Sequence, residues 1–434
     1  MSSLQIGFSG LGVVVVLLAL RVPIAFALGS VALVGMWLVR GPVAAFGALG
    51  SLTYDFAANW SLSAVPMFLL LGAIAYHTGF TNHLYSAARI WTNWMPGGLA
   101  VATNFASAGF SAMCGSSVAT AAAMGRMAIP EMLDRGYDKA LAAGTVAAAG
   151  TLGALIPPSV LFILYGWFSE EPIDKLLIAG IFPGLLTAFM YALMIVTRCT
   201  ANPALAPKVH IENTKTEKWR ALKPVWPIPA LIIVVIGSIY GGVATPTEAG
   251  AFGAFAAMVI AALQNRLTWP VISESVMDAL RTSGSILLIA ISAILLTRFL
   301  AVSGVPSFLS GMVVEWGIGD VYLVLAMALV YIVLGMFLDP IGLMLLTLPV
   351  FLPIFQAAHI DLIWLGVLVV KFLEIGVLTP PVGLNVFVVK QVAGDRIALT
   401  TVFRGIFWFL ACEVVVIFLL ITFPSISVFL PGLM

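Results

Sequence analysis

The chain has 434 residues, of which 62% are hydrophobic and 9% charged, and its formal net charge is +1. A soluble domain keeps about 25% charged residues, so this chain has too little charge to cover a water-facing surface, and lipid must be the solvent for most of it. The balance of 20 basic and 19 acidic residues leaves no footprint for nucleic acid, and Cys114, Cys199 and Cys412 lie far apart in apolar stretches, without metal or disulfide spacing.

The first apolar run, near 4–20, lacks a basic region before it and a small-residue cleavage site after it, so it reads as a retained membrane helix rather than a leader. Further spans are expected near 22–39, 61–78, 138–166 and 174–199, then near 225–243, 247–264, 284–300, 361–390 and 405–423, each close to the ~20 residues that cross a bilayer core. Two apolar stretches, 97–133 and 320–357, are interrupted midway by Cys114-Gly115-Ser116-Ser117 and Leu338-Asp339-Pro340. Each suits a helical hairpin that enters the membrane, turns and leaves by the same face, which is tolerable only where protein or a water-filled cavity surrounds the turn. The spans 138–166 and 361–390 carry Pro157-Pro158 and Pro380-Pro381 beside glycines. Proline removes a backbone donor and clashes with the preceding turn, so both helices are expected to break in mid-membrane.

The segments 80–95 and 303–317, flanked by Trp91, Trp94 and Trp316, suit helices lying along the membrane surface. The hydrophilic stretch 200–224, with Lys208, Lys215, Lys218, Arg220 and Lys223, divides the chain into 1–199 and 225–434 and reads as a cytoplasmic linker.

A shift of 223 residues places Pro23 on Pro246, Pro130 on Pro353, Pro157-Pro158 on Pro380-Pro381, Gly153 on Gly376 and Ser116 on Asp339. The expected fold is therefore an all-α polytopic membrane protein of two repeats, each with five transmembrane helices, one of them broken, and one re-entrant hairpin. Five is odd, so the second repeat is inverted, an architecture of secondary transporters. With both termini in the periplasm, Arg21, Arg89, Arg135, Lys139, Arg198, Arg266, Arg281, Lys390, Arg396, Arg404 and the linker cations fall on the cytoplasmic side, against Arg40 and Lys175 on the other.

Several motifs carry a family resemblance. Gly115-Ser116-Ser117-Val118-Ala119-Thr120 leads to Ile129-Pro130-Glu131-Met132 and Arg135-Gly136-Tyr137, then to 150–159 (GTLGALIPPS) and 179–184 (AGIFPG). The second half offers 245–250 (TPTEAG), Phe337-Leu338-Asp339-Pro340 and 374–385 (EIGVLTPPVGLN). Over essentially its whole length the chain resembles the large membrane subunit, DctM type, of the tripartite ATP-independent periplasmic (TRAP) transporters, of the ion-transporter superfamily. The resemblance implies sodium-driven uptake of an organic acid (a C4-dicarboxylate, sialic acid or related carboxylate) through the bacterial inner membrane. It also implies a periplasmic solute-binding protein, a small four-helix membrane subunit that is not fused here, and a transport unit moving elevator-fashion. It implies no enzyme and no cofactor beyond the coupling sodium ions.

A sodium site is then expected in each half, between the hairpin turn and the facing helix break, because unwound carbonyls and hydroxyls are the hard oxygen ligands sodium prefers. The candidates are Gly115, Ser116, Ser117, Gly150, Thr151 and Gly153, and in the second half Asp339, Gly342, Gly376, Thr379 and Pro380. Serine and glycine at such breaks also serve as packing residues. The helix N-termini at the turns suit a substrate carboxylate, with Ser116, Arg126, Pro158, Pro381 and Asn385 as its expected contacts. Asp339 could be sodium ligand, proton carrier or structural acceptor, and the resemblance favours the first and last. Lys371 and Glu374, three apart on one helix, are expected to pair, with substrate contact an alternative for Lys371. Arg298 is a weaker anion candidate than Arg126, Glu248 reads as a helix cap, and His77, His83, His210 and His359 show no pairing. A stand-alone sodium–dicarboxylate symporter of the same superfamily is the competing function. An enzyme would need a clustered set of His, Cys or carboxylates, and the sequence shows none.

Overall fold

The computed structural model describes residues 2–207 and 214–434. Lys208 and His210, named above, lie outside the described residues. Every regular element among those residues is helical.

In the first half the order is α1 (Ser3–Ala19), α2 (Ile24–Arg40), α3 (Pro42–Ala57), α4 (Ala64–His77), α5 (Phe80–Thr92), the pair α6 (Gly98–Cys114) and α7 (Ser117–Asp134), then α8 (Lys139–Gly150), the single turn α9 (Leu152–Leu155), α10 (Val160–Ser169), α11 (Ile173–Ala179) and α12 (Ile181–Ala201). A short helix, α13 (Lys215–Leu222), precedes α14 (Pro227–Ile232), which a π-helical stretch joins to α15 (Ser238–Tyr240). The remainder is α16 (Pro246–Leu263), α17 (Trp269–Ser303), α18 (Val305–Trp316), α19 (Asp320–Gly335), α20 (Pro340–Ala357), α21 (Leu362–Gly376), α22 (Leu384–Ala393), α23 (Leu399–Thr422) and α24 (Ser425–Val428). Six helical segments among the described residues are long and apolar enough to cross a bilayer, and up to eight if two bent pairs each count as one span.

The breaks follow from local chemistry. Between α9 and α10 the chain runs through Ile156-Pro157-Pro158-Ser159 and bends by 41°. Between α21 and α22 it runs through 377–383, which contains the second proline pair. Ser159 restarts α10 by accepting from the Phe162 amide at 3.4 Å, and Tyr165 ties α10 to the second half by donating to the Leu362 carbonyl at 2.8 Å.

Two helices differ from expectation. Residues 42–57 form α3, for which no element is expected from sequence. Pro42 starts it at a position where a missing N–H does no harm, and its alanines and leucines sustain it despite two glycines. In place of a short span at 284–300 stands the 35-residue α17, about 52 Å long at 1.5 Å per residue. Its first half is too polar to read as a span, because Glu274, Asp278 and Arg281 fall on one face, but nothing in it breaks a helix. Those charges meet His77 at the end of α4: Nε2 lies 2.8 Å from Asp278 Oδ2 and Nδ1 3.2 Å from Glu274 Oε2. His77 is therefore paired, against the sequence reading.

α2 and α4 pack along α17, and α4 also against α16. Elsewhere α7 is flanked by α8 and α22, and α8 packs on α23. The described end of the linker, α13, docks on α5, since Trp91 donates to the Lys218 carbonyl at 3.1 Å and its ring meets Trp219 edge-on. Glu131 holds the base of α7 to α5 through Arg89 at 2.6 Å and takes Arg135 at 3.0 Å. Helix crossings rely on small residues, as expected where lipid offers no hydrophobic drive between helices. At the α8–α23 crossing, a Cβ added at Gly144 would stand 2.6 Å from the Gly405 carbonyl carbon. Gly144→Val should wedge these helices apart and cost about 1–3 kcal/mol, read as a lower melting temperature in detergent; an unchanged melting temperature would show that the contact is dispensable.

Candidate functional site

The two hairpins turn in related ways. α6 ends at Gly115 in the left-handed region (φ 65°), where glycine carries no Cβ penalty. Ser116, extended, then caps α7, its Oγ accepting from the Ala119 amide at 3.4 Å. Asp339 caps α20 in the same manner, accepting from the Gly342 amide at 2.9 Å. Cap and donor are both offset by 223 residues.

Each turn is sewn to a helix break. The Val160 amide donates to the Gly115 carbonyl at 3.4 Å, and the Gly383 amide to the Met336 carbonyl at 3.2 Å, donors again offset by 223. Glycine lets the backbones come this close. A Cβ on Gly153 would stand 2.7 Å from the Ser116 carbonyl carbon, and one on Gly376 would stand 2.8 Å from Gly335 Cα. The contact differs between halves: Gly153 lies under the cap residue itself, Gly376 under the last residue of the arm before the turn, because the second turn is two residues longer.

The turns share one small cavity of about 160 Å³, whose wall includes Gly115, Ser116, Ser117, Asp339, Pro340, Ile341 and Glu374, with Thr282 and Ile286 of α17 opposite. A larger pocket of about 540 Å³ runs from Ser116 along α7 between α4 and α17 and is lined by Tyr76, His77, Arg126, Asp278 and Arg281. Arg126 is exposed to it and donates to the Tyr76 hydroxyl at 2.6 Å. Ser116 and Arg126 thus line one pocket, and Arg281 joins them. Its sequence context gives no hint of this, since α7 and α17, which bring them to one pocket, lie far apart in the chain. Arg298 is exposed on α17 and lines neither space.

The remaining candidates stand around the breaks. Gly150 lies against the Ser117 carbonyl, and Thr151 is buried with its hydroxyl donating to Ala148 at 2.6 Å. Thr379 donates to the Ile375 carbonyl at 2.7 Å, Pro380 is half-buried beside it, and Gly342 packs against Ile24. Three expected substrate contacts are off both walls: Pro158 backs Gly115 through its carbonyl, Pro381 is exposed on the far side of its turn, and Asn385 is fully buried with Nδ2 3.5 Å from the Ala147 carbonyl.

Lys371 does not pair with Glu374. Its Nζ lies 2.5 Å from Glu413 Oε2 on α23 and donates to the Thr187 hydroxyl on α12 at 2.8 Å, while the Tyr191 hydroxyl donates to the other Glu413 oxygen. All four are buried. The i,i+3 spacing puts Lys371 and Glu374 on one face, but the long lysine stem reaches neighbouring helices whose proximity no local pattern reveals. Glu374, 1% exposed, has the Ser117 hydroxyl of the first hairpin as its hydrogen-bonding neighbour. Removing one member of a buried pair strands the other charge. Lys371→Met should cost about 3–5 kcal/mol, and Lys371→Met with Glu413→Gln should recover part of it, both read by thermal melting in detergent; equal losses in the two would refute the pairing.

Helical hairpins whose turns abut broken helices around internal cavities, in a chain this apolar, define a multi-pass membrane permease and not an enzyme. The chain belongs to the family described as the tripartite ATP-independent periplasmic transporter, DctM component, which it matches over residues 11–426. It is 34% identical over 384 residues to the C4-dicarboxylate TRAP transporter large permease protein DctM of Pseudomonas aeruginosa, covering 87% of this chain and 88% of that one. It is 31% identical to the sialic acid TRAP transporter large permease protein SiaM of Vibrio cholerae, covering 96% of each, and 31% identical to the isethionate TRAP transporter permease protein DctMQ of Oleidesulfovibrio alaskensis, covering 96% of this chain and 65% of that one. Among solved structures, the YdaH transporter of Alcanivorax borkumensis shares the fold at a TM-score of 0.60 and 15% identity, over 89% of this chain and 90% of that one.

Proposed function

We propose that this chain is the large permease subunit of a sodium-coupled TRAP transporter of the bacterial inner membrane that takes up a small organic acid. A periplasmic binding protein delivers the acid, and a small four-helix membrane subunit completes the complex. The observation that carries the reading is a cavity walled by both hairpin turns that shares Ser116 with a neighbouring pocket holding Arg126 and Arg281. The acids named for the relatives, a C4-dicarboxylate, sialic acid and isethionate, share an anionic group on a small polar skeleton. A guanidinium is the side chain best shaped to hold a planar acid group.

The two halves, 1–199 and 225–434, act as inverted repeats about the meeting turns, with both termini periplasmic. The matched caps and amide bonds offset by 223 residues support this. Sodium binds in each half between turn and break, at 115–117 with 150–153 and at 339–342 with 376–380. The hairpins and broken helices then move as a unit against α2, α4, α16 and α17.

Uptake into proteoliposomes with the cognate partners tests the whole reading. A sodium gradient should drive accumulation of the acid, and uptake indifferent to sodium would overturn the coupling. Uptake without any binding protein would make the chain a stand-alone symporter. Ser116→Ala and Asp339→Ala should each weaken sodium dependence while membrane insertion persists; unchanged sodium dependence in both would remove the sites. Arg126→Gln should raise KM by about tenfold, the scale of losing one charge-assisted hydrogen bond, with little change in sodium dependence.

A further inference from the structure

We infer that the basic helix α13, together with the end of α5 on which it packs, forms a surface that binds the headgroups of anionic phospholipids in the cytoplasmic leaflet. The inference goes beyond the transport reading and rests on it only for the cytoplasmic placement of the linker. Lys215, Lys218, Arg220 and Lys223 stand within nine residues and make up a fifth of the 20 basic residues in the chain. The acid among them, Glu217, is spent on the capping box that starts α13, where its carboxylate accepts from the Thr214 amide at 2.8 Å.

Three observations carry it. None of the four cations forms an ion pair among the described residues, and Lys215, Arg220 and Lys223 are exposed. On a helix of 3.6 residues per turn, Lys215, Trp219 and Leu222 share one face, Lys218 and Lys223 flank it, and Glu217 lies on the opposite side. Trp91, Trp219 and Trp226 are exposed around these lysines, and exposed indoles beside cations are the pattern of the headgroup zone. The helical stretch Lys215–Val225 then meets the apolar Pro227–Tyr240 at a bend of 43°, so the cations stand where the chain enters the bilayer.

Charge and shape together select the occupant. A soluble anion such as inorganic phosphate would answer the lysines but leave the indoles in water. A phospholipid satisfies both, its phosphate meeting the ammonium groups while its glycerol and upper acyl carbons meet the rings. A zwitterionic lipid has no net charge to offer, so the surface prefers an anionic one. The surface is also held in place, since the Trp91 indole donates to the Lys218 carbonyl at 3.1 Å and its ring stands edge-on to Trp219 at 5.9 Å. α5 is tied in turn to the base of α7 by Arg89 and Glu131 at 2.6 Å. A lipid bound on α13 therefore steadies the helix that holds the base of the first hairpin.

The test is thermal melting of the full-length chain in detergent with rising dioleoylphosphatidylglycerol, set against dioleoylphosphatidylcholine and inorganic phosphate at the same concentrations. Phosphatidylglycerol should raise the melting temperature and the other two should not. Choline chloride at about 1 M, where the Debye length falls to about 3 Å, should abolish the rise. With Lys215→Gln and Lys223→Gln combined, the phosphatidylglycerol concentration for half the effect should rise about twentyfold, at about fivefold per cation. If that pair fails to fold, each single substitution should show its fivefold shift. Lys139→Gln with Arg404→Gln, which removes the same charge from exposed cations on the same side of the membrane, should leave the response unchanged. Trp219→Ala, which keeps every charge, should weaken it. Equal stabilisation by both lipids, a response to free phosphate, or the same loss in both charge pairs would overturn the surface. So would a response that vanishes once the small membrane subunit is bound, since that subunit would then be the occupant. A Lys215→Cys chain that a membrane-impermeant maleimide labels from the periplasmic face would defeat the cytoplasmic placement instead. Labelling from the cytoplasmic face, beside a parent indifferent to phosphatidylglycerol, would defeat this surface alone.

Discussion

The structure depends on closing backbone hydrogen bonds that four interruptions leave open inside an apolar medium. A peptide group with no partner in hydrocarbon costs several kcal/mol, so each interruption must be met by another. The Val160 and Gly383 amides find the Gly115 and Met336 carbonyls. Ser116 and Asp339 cover the first amides of α7 and α20. Gly153 and Gly376 are glycine because the opposing backbone occupies the space a Cβ would need. The breaks and the turns are thus one requirement seen from two sides.

That requirement brings chemistry with it. Wherever backbone is unwound and yet sheltered, oxygen atoms and helix ends collect, and in this chain they collect around two joined spaces with different electrostatics. The smaller has a mostly apolar wall broken by the hydroxyls of Ser116, Ser117 and Thr282 and the carboxylates of Asp339 and Glu374, and the larger holds Arg126 and Arg281 with Asp278 already engaged by His77. The buried quartet of Lys371, Glu413, Tyr191 and Thr187 lies behind them and braces α21 against α12 and α23.

The all-helical membrane fold and the family are legible in the sequence because composition, spacing and local motifs carry them. Gly115, Ser116, Asp339 and the proline pairs mark interruptions for the same reason: glycine, proline and capping residues act on their own neighbours. What is illegible depends on contacts between distant segments. Lys371 pairs forty-two residues away rather than three, His77 pairs with residues about two hundred positions on, and Arg281 joins Arg126 only because α17 and α7 line the same pocket. Two helices escape for other reasons. α3 is not apolar enough to stand out as a span, and the first half of α17 is polar on one face, so a hydropathy reading cuts both at the wrong place.

The length of α17 has a further bearing on how an ion finds its way in. A helix of about 52 Å cannot be contained by a hydrocarbon layer about 30 Å thick, so its early turns, with Glu274, Asp278 and Arg281, stand among headgroups and electrolyte. The vestibule they border is bathed in bulk salt, where attraction fades over a Debye length of about 8 Å. The charges of those early turns therefore act on ions only at short range.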